Sequence, residues 1–150
     1  MVSRIDHLVL TVKDRAVSVD FYSRILGMRE VTFGAGRTAL AFGEQKINLH
    51  QKADEFTPKA HAPTPGSADI CLITDWPIPK VIARLARFGV LIEEGPVIRT
   101  GALGPILSVY IRDPDLNLIE ISHYEANQPH RLPRPTEQAG PDSGVLGGER

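Results

Sequence analysis

The sequence has one cysteine, no long apolar run and almost no net charge, and each of these absences excludes a class of protein. With 17 basic and 18 acidic residues, the chain has no excess of positive charge that would attract nucleic acid or an anionic membrane. No run of about 18 apolar residues marks a membrane span, and the first residues lack the apolar segment of a signal peptide. We therefore expect a cytoplasmic protein whose partner is a small molecule.

The single cysteine, Cys71, cannot form a disulfide bond within the chain, which agrees with a reducing compartment. It stands in the apolar run of Ile70, Leu72 and Ile73, so we predict a buried thiol that behaves as a small hydrophobic side chain. The remaining composition, 42% hydrophobic and 23% charged over 150 residues, is typical of one globular domain.

The first part of the chain predicts one strand, one helix and three further strands. Residues 5–12 (IDHLVLTV) are typical of a strand, and the apolar positions between Asp14 and Leu26 recur at helical spacing. Asp14 can cap the start of this helix, and Gly27 can end it. Strands are then predicted at residues 28–33, 37–43 and 46–51.

The same order of elements follows a proline-containing linker, residues 52–66. A strand at 67–74 and a helix at 77–89 precede strands at 90–97, 106–113 and 116–124. The predicted fold is α+β, with two βαβββ modules (4–51 and 67–124) in one domain, 1–125. The remaining residues, 126–150, hold four prolines and four glycines, so we predict a flexible tail.

Aligning the two modules places potential metal ligands at matched positions. Aligning DICLIT (residues 69–74) with HLVLTV (residues 7–12) puts Asp69 opposite His7, and aligning NLIEIS with INLHQK puts Glu120 opposite His50. Each residue alone is as easily explained by a structural role, but their coincidence in a repeat favours a shared function. We predict that His7, His50, Asp69 and Glu120 bind one divalent metal ion.

Two imidazoles and two carboxylates balance the charge of a divalent ion and favour Zn, Ni, Co, Mn or Fe over Ca and Mg. A six-coordinate ion would keep two positions for adjacent oxygens of a substrate and could act there as a Lewis acid. Because Glu120 has a longer side chain than Asp69, it is the better candidate for a general base.

Two segments near the predicted site are rich in turn-forming residues. Residues 93–106 (EEGPVIRTGALGPI) predict a loop between two strands, where Arg99 or Thr100 could bind an anionic or polar group of the substrate. Residues 112–117 (RDPDLN) predict a tight turn that sets the register of the strand carrying Glu120.

The segments DHLVLTV, FYSRILGM and RDPDLNLIEI resemble the vicinal-oxygen-chelate superfamily, which includes glyoxalase I, bleomycin-resistance proteins and extradiol dioxygenases. The resemblance covers residues 4–124, and FGEQKINLHQ and PGSADICLIT look like its glyoxalase-domain-containing branch. It implies two βαβββ modules forming a curled mixed sheet around a metal, with ligands on the first and last strands of each module. Such sites are built within one chain or between two, and we expect a homodimer.

The resemblance also bears on the reaction. Glyoxalase I enzymes typically have glutamate at the position of His50 and histidine or glutamine at the position of Asp69, so lactoylglutathione isomerisation is not the expected activity. Extradiol dioxygenases use two histidines and a glutamate, and their second histidine falls at Asp69. The bleomycin-binding members lack metal ligands altogether.

These observations lead to three functional hypotheses. The first is a metal-dependent lyase or isomerase acting on a small substrate chelated through vicinal oxygens. The second is an Fe(II) extradiol ring-cleavage dioxygenase. The third is a protein that sequesters a hydrophobic or planar small molecule, as antibiotic-resistance proteins do, in a groove with aromatic walls from Phe33, Phe42, Trp76 and Tyr110.

Overall fold

A computed structural model describes residues 1–125 of the protein, and the predicted tail, residues 126–150, lies outside the described residues. The order of elements agrees with the prediction. The strands are β1 (His7–Val12), β2 (Arg29–Phe33), β3 (Arg37–Phe42), β4 (Gln45–Gln51), β5 (Asp69–Ile73), β6 (Glu94–Gly101), β7 (Gly104–Arg112) and β8 (Leu118–His123). The helices are α1 (Arg15–Asp20), which continues as a π-helical segment over Phe21–Ile25, and α2 (Ile78–Arg87).

Each module forms one four-stranded mixed sheet, in the orders β1-β4-β3-β2 and β5-β8-β7-β6. In both sheets the first strand of the module runs parallel to the last, while the other neighbours are antiparallel. These two sheets confirm the predicted α+β fold with two βαβββ modules. β1 and β5 are edge strands, so each has one side without a neighbouring strand among residues 1–125.

The two modules share one apolar core. Alternate residues of β1, β3, β4, β5, β7 and β8 face inward, and they are fully or partly buried because they pack against the helices and the other module. Each such side chain contributes about 1.5–3 kcal/mol through burial. The core includes Leu10, Val12, Leu40, Ile47, Leu49, Leu85, Val109, Ile111, Ile119 and Ile121. Polar residues on the alternate positions therefore lie on the opposite, outward face of each sheet.

The helices begin and end largely as the sequence predicts. The Asp14 carboxylate caps α1 by accepting a hydrogen bond from the Val17 amide at 3.1 Å, and Gly27, with φ of 76°, follows its end. Arg84 of α2 donates hydrogen bonds to the carbonyl oxygens of Arg24 and Ile25, at 2.7 and 2.5 Å. These two bonds attach the second helix to the end of the first.

The turn after β7 also joins the modules. The buried Asp113 carboxylate accepts hydrogen bonds from the Tyr22 hydroxyl and the Asn117 side chain, both at 2.8 Å. The carboxylate of Asp115, also buried, accepts a hydrogen bond from the Lys13 amide at 3.2 Å. Asn117 Oδ1 accepts one from the Ala68 amide at 2.8 Å. The predicted tight turn is thus also a polar connection between both modules.

The segment before β7 differs from the prediction. A strand was expected at 90–97 and a loop at 93–106, whereas β6 runs from Glu94 to Gly101 and pairs with β7 as a hairpin. Val90 and Ile92 instead pack against the core outside any strand. Arg99 and Thr100 therefore lie in a strand and not in a loop. Across residues 1–125, no helix has the length and apolar character needed to cross a bilayer.

Candidate metal centre

His7 lies at the start of the edge strand β1, on the outward face of the first sheet. Its Nδ1 shares a hydrogen bond of 2.7 Å with the Asp6 carboxylate, which leaves Nε2 available. This bond is the main reason why the pKa of Asp6 lies below its usual value. A carboxylate on the second ring nitrogen commonly orients histidines that bind metals.

The neighbours of His7 on β4 follow from the strand register. His7 stands beside Lys46, and Asn48 lies two residues further along on the same face. The Oδ1 atom of Asn48 is buried and has no hydrogen-bond partner among the described residues. A buried polar atom without a partner costs free energy, so this oxygen is suited to binding a ligand. We call His7 and Asn48 the first half-site.

Asp69 and Glu120 have the same relationship in the second sheet. Asp69 begins the edge strand β5 beside Leu118, and Glu120 lies two residues further along β8 on the same outward face. Asp69 is exposed, whereas Glu120 is half-buried and accepts a hydrogen bond from Ser122 Oγ at 3.2 Å. We call Asp69 and Glu120 the second half-site.

The register corrects the predicted alignment of the repeat. Because His7 pairs with Lys46 and Asp69 pairs with Leu118, the residue equivalent to Glu120 is Asn48, and His50 is equivalent to Ser122. His50 pairs with Thr11, four residues beyond His7, a separation of about 13 Å along the strand. The structure therefore does not bring His50 together with His7.

His50 instead lies under the linker. It is 8% exposed and contacts the Phe56 ring edge-on, with the ring centres 5.7 Å apart. The Arg37 guanidinium lies 4.8 Å from the centre of the same Phe56 ring. Burial, followed by the nearby Arg37 charge, lowers the pKa of His50, so its imidazole is held neutral.

A hydrogen-bonded network surrounds Glu120 on the second sheet. Tyr110 is its direct neighbour on β7, and the Tyr110 hydroxyl interacts with both Glu120 and Arg99 Nε, the latter at 3.1 Å. Arg99 also forms an ion pair with Glu94. Desolvation raises the pKa of Tyr110, with Arg99 acting in the opposite direction and Glu120 in the same direction. Tyr110 therefore links the predicted substrate-binding Arg99 to Glu120.

The other predicted substrate-binding residue lies elsewhere. Thr100 follows Arg99 in β6, so its side chain points to the opposite face of the sheet and is exposed. The structure thus places only Arg99 of this pair close to Glu120.

Cys71 is exposed on the outward face, which contradicts the prediction of a buried thiol. It pairs with Glu120 across the strands, and its Sγ lies 3.4 Å from Ser122 Oγ. Local desolvation raises the pKa of Cys71, so the thiol form is favoured at neutral pH. Ser122 also hydrogen-bonds to the buried Ser108 at 2.8 Å, which anchors this network to β7.

Within the part of the chain that the structure describes, the two half-sites do not form one cluster of potential metal ligands. Among residues 1–125 there is no cluster of three or more His, Cys, Asp or Glu side chains that could hold a metal ion. His7, Asp69 and Glu120 would form such a cluster if the half-sites were joined. A single chain therefore offers two separate pairs of potential ligands.

The four predicted aromatic wall residues do not line one groove. Phe33 lies on the first sheet, where Lys46 Nζ is 3.8 Å from the centre of its ring. Tyr110 lies on the second sheet beside Glu120. Phe42 and Trp76 line a different cavity, between the two modules.

Comparison with known families decides the classification. The family model described as the Glyoxalase/Bleomycin resistance protein/Dioxygenase superfamily matches residues 4–121. The chain belongs to this superfamily. Members of this superfamily with closely similar sequences include a virulence protein of Salmonella typhimurium, 59% identical over 83% of this chain and 86% of the relative. A glyoxalase domain-containing protein of Mycosarcoma maydis is 56% identical over 83% of this chain and 70% of the relative.

Solved structures of superfamily members have the same architecture. The crystal structure of the Salmonella typhimurium virulence protein gives a TM-score of 0.82 at 58% identity, covering 83% of this chain and 99% of that one. An integron cassette protein from V. cholerae gives 0.82 at 55% identity, with coverage of 83% and 98%. A lactoylglutathione lyase from Agrobacterium tumefaciens, at 23% identity and a TM-score of 0.61 over 81% and 93%, shares the fold.

Proposed function

We propose that the protein is a metal-dependent lyase or isomerase acting on a small substrate that chelates the metal through vicinal oxygens. The observation that carries this proposal is the equivalence of the two half-sites, each with one donor on an edge strand and one on its neighbour. A repeated fold does not by itself require donor side chains at both pairs of positions.

The proposed ligands are His7, Asn48, Asp69 and Glu120, with Asn48 taking the place that the sequence suggested for His50. One imidazole, one amide oxygen and two carboxylates suit a divalent ion such as Zn, Ni, Co, Mn or Fe. The unpartnered Oδ1 of Asn48 and the free Nε2 of His7 support this assignment. A divalent ion held there would supply Lewis-acid stabilisation of developing negative charge on the substrate oxygens.

We further propose that two copies of the chain complete each site. β1 and β5 carry His7 and Asp69 and are both edge strands, so β1 of one copy can lie beside β5 of another. A two-fold symmetric dimer would form this contact twice and complete two sites.

Within such a site, Glu120 is the proposed general base. Tyr110 and Ser122 both interact with its carboxylate, which limits the rotation of the side chain and directs it along the outward face. Once released from the ion, the Glu120 carboxylate would remove a proton from the carbon next to a chelating oxygen and return it at a neighbouring position. Arg99 donates a hydrogen bond to the Tyr110 hydroxyl and forms an ion pair with Glu94, so it is close enough to Glu120 to bind a polar group of the substrate.

A lyase or isomerase is preferred over a ring-cleaving dioxygenase because the proposed ligand set contains one histidine. The dioxygenases of the superfamily use two, and the register moves His50 away from His7. No oxygen uptake with a panel of catechols and Fe(II) is therefore expected.

Mixing two inactive variants tests whether the site is shared between chains. His7→Ala and Glu120→Ala dimers should each lack a complete site. After unfolding and refolding together, mixed dimers keep one complete site, so about a quarter of the wild-type metal binding should return. Co-refolding of His7→Ala with Asn48→Ala, which lie in the same half-site, should restore none. Equal metal binding in both mixtures would refute the shared site.

A further inference from the structure

A cavity of about 360 Å³ lies between the two modules, on the inward side of the sheets. It is bounded by the end of the first helix, by α2 and by the inward residues Leu72 and Ile121 of the second sheet. Both half-sites lie on the outward faces, so the sheet separates this intermodule cavity from them. Its volume falls within the range of about 300–1,000 Å³ that is usual for small-molecule sites.

The walls of the intermodule cavity are apolar and held in place. Met28 and Leu85 are buried, and Phe42 packs against the core. Arg84 is the charged residue of the lining, and its guanidinium donates to the carbonyl oxygens of Arg24 and Ile25. Because these bonds engage the guanidinium, an anionic ligand would have to compete with them. The cavity is therefore suited to an uncharged ligand.

The aromatic character of the lining indicates which uncharged ligand fits. Trp76 forms part of the wall and is 37% exposed, so its ring reaches from the cavity to the surface. Lys80 Nζ lies 3.8 Å from the centre of this ring and Arg84 Cζ lies 5.7 Å from it, which limits the movement of the indole. Phe42 and Met28 supply a second ring and a polarisable thioether, and both interact well with aromatic molecules.

We propose that the intermodule cavity binds an uncharged aromatic molecule of one or two rings, independently of the metal. The inference does not depend on the proposed enzyme activity, because none of the half-site residues line the cavity. Trp76 is the only tryptophan of the chain, so its fluorescence reports directly on the occupation of this cavity.

The experiment is a titration of the full-length protein in EDTA with toluene and, separately, with benzoate, followed by Trp76 fluorescence and by amide NMR shifts. Toluene and benzoate have similar size but differ in charge. Val81→Phe and Leu72→Phe fill the cavity from opposite walls, and Ala83→Phe adds the same ring on the exposed side of α2. Circular dichroism identifies which variants fold.

A saturable response to toluene is expected for the wild type and Ala83→Phe. Binding should be at least about tenfold weaker in either filled variant that folds, with benzoate binding at least about tenfold weaker than toluene. The proposal is wrong if toluene gives no saturable response up to its solubility limit. It is equally wrong if the folded filled variants bind as well as the wild type, if neither of them folds, or if benzoate binds as tightly as toluene.

Discussion

Asn48 and Glu120 occupy equivalent positions in the two modules, each two residues beyond the strand neighbour of an edge-strand ligand candidate. The sequence alignment of the two modules had instead made His50 the residue equivalent to Glu120. The equivalence of Asn48 with Glu120 gives the two half-sites the same geometry, with His7 equivalent to Asp69. Two copies of one βαβββ unit thus offer four oxygen and nitrogen donors, two from each sheet.

Tyr110→Phe is expected to weaken metal binding by about tenfold, because the variant removes the hydroxyl that interacts with Glu120 and leaves the ring in place. Isothermal titration with Ni²⁺ or Zn²⁺ measures the change. Tyr124→Phe serves as the control. It removes another hydroxyl of the second module, which accepts a hydrogen bond from the Leu103 amide. Unchanged metal affinity in Tyr110→Phe would show that Glu120 does not need this neighbour.

Tyr22→Phe is expected to destabilise the fold by about 1.5–3 kcal/mol, since it removes a buried hydrogen bond to the Asp113 carboxylate. Urea unfolding at neutral pH measures this loss. Burial and the neighbouring Asp113 raise the pKa of Tyr22 in the folded state. The stability that depends on the neutral phenol is therefore full below about pH 10, the unfolded value, and declines above it.

The difference in unfolding free energy between the wild type and Tyr22→Phe should accordingly shrink as the pH rises beyond about 10. A difference that stays constant up to pH 11 would be inconsistent with a raised pKa of Tyr22.

His50→Leu is expected to make the fold more resistant to mild acid. Burial lowers the pKa of His50 in the folded state, so the unfolded chain takes up a proton first as the pH falls below about 6.5. The wild type therefore loses stability between about pH 6.5 and 5, and the variant should lose less. Thermal unfolding across this range measures the effect, with the exposed His61→Leu as the control. Parallel losses in wild type and His50→Leu would argue against a desolvated imidazole.

Periodicity predicted the fold but could not fix the register of the strands. If β4 were shifted by one residue against its neighbours, Ile47 and Leu49 would face outward, and their burial in the core excludes this register. A shift of two residues keeps every apolar side chain on the core face. The sequence alone therefore allowed either His50 or Asn48 to be the residue equivalent to Glu120. The paired positions of β1 and β4 were needed to choose between them.

Two further differences have local causes. Gly95 and Pro96 interrupt the alternation of β6 at an irregularity in its pairing with β7, which disguised the strand as a loop. Cys71 stands between apolar residues along the chain, but alternation sends its side chain to the outward face while Ile70 and Leu72 pack against the core.

Elemental analysis of protein purified without chelator tests the central claim most directly, comparing the wild type with Asn48→Ala, His50→Ala and Glu120→Ala. We predict about one divalent ion per chain in the wild type and in His50→Ala, and its loss in Asn48→Ala and Glu120→Ala. Loss of the metal in His50→Ala with retention in Asn48→Ala would contradict the half-site assignment. A wild-type protein that holds no metal even after exposure to Zn, Ni, Mn and Fe(II) would contradict the proposed metal centre itself.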